Sequence, residues 1–170
     1  MMLVTLVGLT AFACIIPVER GKLVEGRSLT VGVTQVRKVP EVFYEDQGQH
    51  FVIRPRDTEK NTLALTSISI ANYRSARVLM SIDSTAAYVD DQQNRQYPAL
   101  NPFGAQREKL DKPGKDATLY VPFLWGTIGL DQNNQITGWM VFEVPKDTEV
   151  QRFGWQQGEN IVVRFCKEPC

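Results

Sequence analysis

Hydrophobic and polar positions fall into two regimes along the chain. Residues 2–18, MLVTLVGLTAFACIIPV, carry no charge, and charge begins abruptly at Glu19 and Arg20. After residue 27 the apolar residues come in short runs that alternate with polar ones. That two-residue period is the mark of strands with one face on a core. Leu29, Val31 and Val33 alternate with Thr30, Gly32 and Thr34. Phe51-Val52-Ile53 is a short apolar run that Pro55 confines to a sheet edge or end. The longest expected strand covers 63–73. There Ile68 and Ile70 share one face while Leu63 and Leu65 fall on the other, so the strand either bulges or is covered on both faces. Further runs occupy 78–82, 86–89, 127–130 and 138–145, followed by the alternations Phe153/Trp155 and Ile161/Val163/Phe165.

The punctuation between these runs agrees with an all-β chain. Polar loops are expected at 45–49 and 57–61, turns at 72–75 and 90–94, and a hairpin-type loop at 131–135. Residues 98–118 contain Pro98, Pro102 and Pro113, a long connection of the kind that crosses between sheets. Pro122 breaks the run 119–124. No window of twelve residues after position 27 holds a capped helical period. About eight short strands spaced by turns predict an antiparallel β-sandwich, with a closed barrel as the alternative.

Three segments follow: 1–18 as a signal or membrane-anchor segment, 19–27 as a charged, Gly-containing linker, and 28–170 as the sandwich domain. The uncharged run sits at the lower edge of the roughly 17–25 residues that span a bilayer. It equally fits the apolar part of a signal peptide. Ala11-Phe12-Ala13 places small residues where a signal peptidase reads, and Cys14 follows at once. The segment therefore resembles a bacterial lipoprotein signal, in which the cysteine becomes the lipid-modified first residue. Lipidation is expected at Cys14. Bulky Phe12 and the lack of basic residues after Met1 and Met2 depart from that motif and fit a retained anchor helix.

Composition narrows the function. The 170 residues are 43% apolar, with 8 Phe, 5 Tyr and 3 Trp, enough for a packed core in one domain. Lys plus Arg and Asp plus Glu each number 19, and the bases are interleaved with acids. With no basic stripe to neutralise phosphates, a nucleic-acid partner is not expected. Besides Cys14 the cysteines are Cys166 and Cys170. They are expected as a disulfide if the chain turns at Pro169 and brings the Cα atoms within roughly 4.4–6.8 Å; free thiols are the alternative. Two thiols and the single His50 do not make a tetrahedral metal set, and no phosphate-binding glycine loop is present, so neither metal nor cofactor is expected.

Candidate chemistry is sparse. His50 has no Gly-x-Ser-x-Gly companion. Asp90-Asp91, and Asp131 with Asn133 and Asn134, could help bind a cation, but neither has the spacing of a calcium loop and both suit turns. Glu143 and Asp147 are a nominal acid–base pair. The expectation is a protein without a catalytic site.

An ordered series of signals from 61 to 165 carries a family resemblance. Ser67-Ile68-Ser69-Ile70-Ala71-Asn72 is an apolar strand ending in Asn, and Tyr88-Val89-Asp90-Asp91 leads through an acidic turn to Tyr97. Gly138-Trp139-Met140-Val141-Phe142-Glu143-Val144-Pro145-Lys146 is the most specific run, followed by Phe153 and the closing Ile161-Val162-Val163-Arg164-Phe165. Together they resemble a bacterial family of extracytoplasmic proteins and lipoproteins of unknown function. The family's fold is similar to that of a secreted mycobacterial immunoprotective antigen. The resemblance implies an immunoglobulin-like β-sandwich.

The expected function is thus a non-enzymatic binding or structural domain of the bacterial cell envelope. It would be extracytoplasmic and anchored in the membrane through its N-terminal segment, or secreted if cleaved without lipidation. Its expected partner is another envelope or membrane protein. The alternative is an accessory subunit of a membrane-protein complex that retains residues 2–18 as a helix.

Overall fold

A computed structural model describes residues 21–165. Cys14, Cys166 and Cys170, where lipidation and a disulfide are expected, lie outside the described residues. The described chain is all-β, without a helix. Its first seven strands are β1 Lys22–Glu25, β2 Leu29–Val33, β3 Arg37–Val39, β4 Val42–Asp46, β5 Gln49–Ile53, β6 Asn61–Asn72 and β7 Arg77–Ile82. The remaining seven are β8 Ala87–Asp91, β9 Gln96–Leu100, β10 Arg107–Leu110, β11 Gly126–Asp131, β12 Asn134–Pro145, β13 Val150–Trp155 and β14 Ile161–Arg164.

Strand β6 organises the molecule. It pairs along its whole length with β12, from Asn61 opposite Pro145 to Asn72 opposite Asn134. Its other edge takes β2 and then β3, and β1 extends the layer beyond β2. From β12 the sheet continues into β9 through two residue pairs alone, Val141–Leu100 and Phe142–Ala99. It then runs on through β8 and β13 to β14. The sheet folds over at that narrow junction, and its halves face each other as the layers of a β-sandwich.

Alternation explains what lies between the layers. Leu29, Val31 and Val33 of β2 and Ile68 and Ile70 of β6 point inward from one side. Val89 of β8, Phe153 and Trp155 of β13, and Ile161 and Val163 of β14 meet them from the other. Met80 and Ile82 of β7 and Leu130 of β11 join the same core from a two-stranded ribbon. Full burial of each such side chain stabilises by about 1.5–3 kcal/mol.

A second core lies on the opposite face of β6 and β12. Leu63, Leu65 and Val141 pack there against Val42, Tyr44, Phe51 and Ile53 of a three-stranded sheet, β10-β5-β4, and against Tyr120. This resolves the phase change in β6. The β6–β12 register runs unbroken, so the strand has no bulge there and is covered on both faces.

Several local expectations are corrected. The described strands are more numerous than the roughly eight that a period-two reading finds. The strands β1, β3, β4, β9 and β10 were not expected, and three of them are short and charged. β1, in the span expected as linker, reads KLVE, β3 reads RKV, and β10, inside the expected long connection, reads REKL. Edge strands carry such residues because one side meets solvent, which erases the alternation. The loop at 45–49 contracts to a two-residue turn, Gln47-Gly48, both with positive φ (51° and 75°). That is the pair of left-handed residues a tight hairpin turn requires. Residues 119–124 form no strand and contribute one bridge, Phe123 to Trp139. The loop at 131–135 does not close a hairpin, because β11 pairs with β7 and β12 with β6. Asn133 instead donates its N–H to the Asn72 carbonyl (2.6 Å) as the chain crosses from ribbon to sandwich.

Candidate functional site

The carboxylates singled out in the sequence go to separate places. Asp90 and Asp91 are adjacent on β8 and both are buried. A register shift between Val150 and Arg152 sets Arg152 directly opposite Asp90. The Arg152 Nε–H donates to both Asp90 oxygens at 2.9 Å. Asp91 instead closes its own turn. It accepts the N–H groups of Gln93 (2.9 Å) and Arg95 (3.0 Å), the Arg95 Nε–H (2.6 Å) and the Tyr97 hydroxyl (3.0 Å). Burial works against ionisation of Asp91, but these donors outweigh it and hold its pKa below the ordinary carboxylate value. Its ion pair in turn raises the Arg95 guanidinium. Both aspartates are thus engaged in holding β8, β9 and β13 in place.

The other candidates are equally dispersed. Asp131 lies 3.6 Å from the Arg77 Nε. His50 stands in β5, opposite Glu45 of β4. Its Nδ1 is buried without a hydrogen bond, 3.7 Å from a Glu45 oxygen. Among the described residues no group of three His, Cys, Asp or Glu side chains converges as a metal set. Glu143 and Asp147 do not face each other. Glu143 lines one cleft, and the exposed Asp147 lines another with Asp91 and Thr148.

The Glu143 cleft is the most built of these places. The β9–β12 ladder ends at Ala99 opposite Phe142, and the next residue of β9 going back along the chain is Pro98, which has no N–H for a ladder. Beyond it the two strands leave a cleft of about 740 Å³, between Tyr97–Leu100 on one side and Glu143 and Pro145 on the other. The turn at 104–106 forms a further wall. Glu143 shares the strand face of Trp139 and Val141, both packed in the second core, and so stands as a charge at the end of an apolar stripe. Its Oε1 accepts the Arg56 N–H (3.0 Å) and the Asn61 side-chain amide (2.8 Å). Its Oε2 accepts the Gln106 side-chain amide (3.0 Å).

Asn61, Arg56 and Gln106 were not expected at this site: Asn61 opens β6, Arg56 stands in the loop between β5 and β6, and Gln106 in the turn before β10. The one available signal was the charge at the third position of a face that begins with Trp139 and Val141. Asn72 was legible as the opening of the turn expected at 72–75. The Asn72 side chain donates to the carbonyls of Ser75 (2.8 Å) and Leu130 (2.9 Å) and accepts the Ser75 N–H (3.0 Å). At Gly138 a Cβ would stand 2.7 Å from the Pro122 carbonyl oxygen, so glycine lets the 122–124 segment lie against β12.

No protein-family model matches the sequence, and comparison with curated proteins gives no match. Three solved bacterial structures are similar in fold. A conserved hypothetical protein of Bacillus anthracis superposes with a TM-score of 0.50 at 12% identity, over 83% of this chain and 86% of that one. A secreted protein of Mycobacterium tuberculosis gives 0.47 at 12% identity, over 85% and 92%. An uncharacterized β-sandwich protein of Clostridium difficile gives 0.46 at 7% identity, over 86% and 91%. At these identities the likeness is one of fold alone.

Proposed function

We propose that this chain is a non-enzymatic, immunoglobulin-like binding or structural domain of the bacterial envelope, tethered to the membrane by its N-terminal segment and acting through protein–protein contact. The observation that carries the reading is the use made of its polar groups. Asp90, Asp91 and Asp131 each hold an arginine of a neighbouring strand or turn, and Glu143 ties two loops to β12. Side chains committed to fixing strands and loops build a rigid surface, and a rigid surface suits recognition. The tether rests on the uncharged run 2–18, separated from β1 by residues 19–21. From a lipid-modified Cys14 the seven residues 15–21 reach roughly 25 Å at most, which keeps β1 near the membrane surface.

The test is the intact mass of the protein purified from its native membrane fraction. The expected mature chain begins at a lipid-modified Cys14. A retained Met1 would replace the lipoprotein by a subunit with an N-terminal helix. A mature chain that starts beyond Cys14 and floats free of membranes would overturn the tether. The same mass reports whether Cys166 and Cys170 are joined.

A further inference from the structure

Glu143 and Glu159 are half-buried carboxylates held by neutral N–H donors, and of the two Glu143 lines the cleft between β9 and β12. Asp90, Asp91, Glu41 and Asp46 each pair with an arginine. Glu143 is held by three neutral amide donors, and among the described residues no cationic side chain pairs with it. Arg56 contributes its backbone N–H, while its side chain is exposed. A carboxylate has about four acceptor positions. Oε1 uses two and Oε2 one, which leaves an acceptor position on Oε2. A half-buried charge met by dipoles alone, at the end of an apolar stripe, breaks the pattern of its own strand. Such breaks mark functional positions.

We propose that this cleft receives an arginine side chain presented by a protein partner. The guanidinium donates to Glu143 Oε2, and its stem and flat face lie against Pro98, Leu100 and Pro145 at the cleft wall. A planar, weakly hydrated cation suits such a mixed site better than the compact ammonium of lysine. The assignment rests on the protein-binding reading above and names the chemistry of the partner.

The experiment is a titration of the full chain in detergent, followed by NMR of the Asn61 and Gln106 side-chain amides. The probes are N-acetyl-arginine methylamide and its neutral citrulline counterpart. Saturable shifts of both amides are expected with the arginine probe, with affinity about tenfold above citrulline, the scale of one charge-assisted hydrogen bond. Glu143→Gln should remove that preference. Arg56→Gln leaves the backbone donor in place and deletes a like charge, so it should tighten the arginine probe by about twofold. It also keeps the test decisive if the Glu143 variant folds poorly. Equal response to both probes, shifts confined elsewhere, or weaker binding in Arg56→Gln would overturn the proposal; the last would indicate an anionic occupant. Cross-linking of the full chain in its membrane fraction separates the two levels. Partner capture reduced about tenfold by Glu143→Gln supports the cleft. Capture indifferent to that variant overturns the cleft and leaves the binding reading standing, and no captured protein at all overturns both.

Discussion

The two cores share β6 and β12 yet are built differently. The main core is largely aliphatic, drawn from strands whose inward residues alternate, and its largest rings are Phe142, Phe153 and Trp155. The second is rich in rings. Tyr44 stacks on Phe51 with centroids 5.5 Å apart and meets Phe123 edge-on at 5.1 Å, and Tyr120 meets Trp139 at 5.1 Å. Arginines cover its margin, Arg107 over Phe51 at 4.4 Å and Arg37 over Trp139 at 5.9 Å. The difference follows from geometry. Two facing sheets interdigitate small branched side chains at a near-constant spacing. A short sheet and a loop packed on the back of a sheet leave an irregular gap, which large flat rings fill and whose edges tolerate cations.

If the main core carries global stability, the largest loss should come from Phe142→Ala. Its side chain is fully buried between the layers and meets Phe153 edge-on at 6.3 Å. The expected cost is about 3–5 kcal/mol in urea unfolding. A loss below about 1 kcal/mol would show that the layers close up around the deletion, against the packing described.

Leu65→Ala probes the other face of the same sheet. Leu65 is fully buried in the second core, and about 2–4 kcal/mol is expected. The location of the damage matters more than its size. Amide exchange should accelerate in β4, β5 and β10 while β8 and β13 remain protected, because the three-stranded sheet joins the sandwich through side chains rather than a ladder. Uniform acceleration would mean that the two cores unfold as one.

The same contrast explains what was legible in the sequence. The main core could be read from period two, since β2 and β14 each bury one face. The second core showed only as the phase change between Leu65 and Ile68. Two of its ring contributors, Tyr120 and Phe123, stand in a proline-broken loop with no period at all. β3 and β10 were invisible because edge position lets them be charged. Glu143 was visible as an oddity on an apolar face. The amides that hold it were not, because Arg56, Asn61 and Gln106 meet it only through tertiary packing.

A smaller effect tests the closure of the main core at its edge. The Glu159 carboxylate accepts the N–H groups of Arg27 (2.7 Å), Ser28 (3.2 Å) and Leu29 (2.6 Å), tying the β13–β14 loop to the β1–β2 turn. Glu159→Ala should cost about 1–3 kcal/mol by leaving those donors to water. It should also raise exchange in β1 before any other strand of the sandwich. Gly26→Ala should act in the same direction, since a Cβ there would lie 2.4 Å from the Glu159 carboxyl group.

The smallest effects come from pH, which reaches the two cores from opposite ends of the scale. Asp91, at the rim of the main sandwich, has a folded pKa below its ordinary 3.8. The folded state therefore binds its proton less tightly than the unfolded chain does. Its contribution is complete above that ordinary value and is lost as pH falls through the folded one. Asp57 and Asp83, lowered by hydrogen bonds within their own turns, share this acid limb. Tyr44, in the second core, is shifted the other way. Burial raises its pKa above 10.0, against an opposing hydrogen bond from Arg107, and its hydroxyl donates to the Pro102 carbonyl at 2.7 Å. Its contribution is present below 10.0 and is lost as pH rises through the folded value. Asp91→Asn should therefore flatten the acid limb of the stability profile and leave the alkaline limb unchanged, and Tyr44→Phe should do the reverse. Exchange should resolve the two limbs in space. Acid should loosen β8 and β9 around the Asp91 turn, whereas alkali should loosen β4 and β5 around Tyr44. If both limbs loosen the same strands, the sandwich and the sheet on its back are a single cooperative unit.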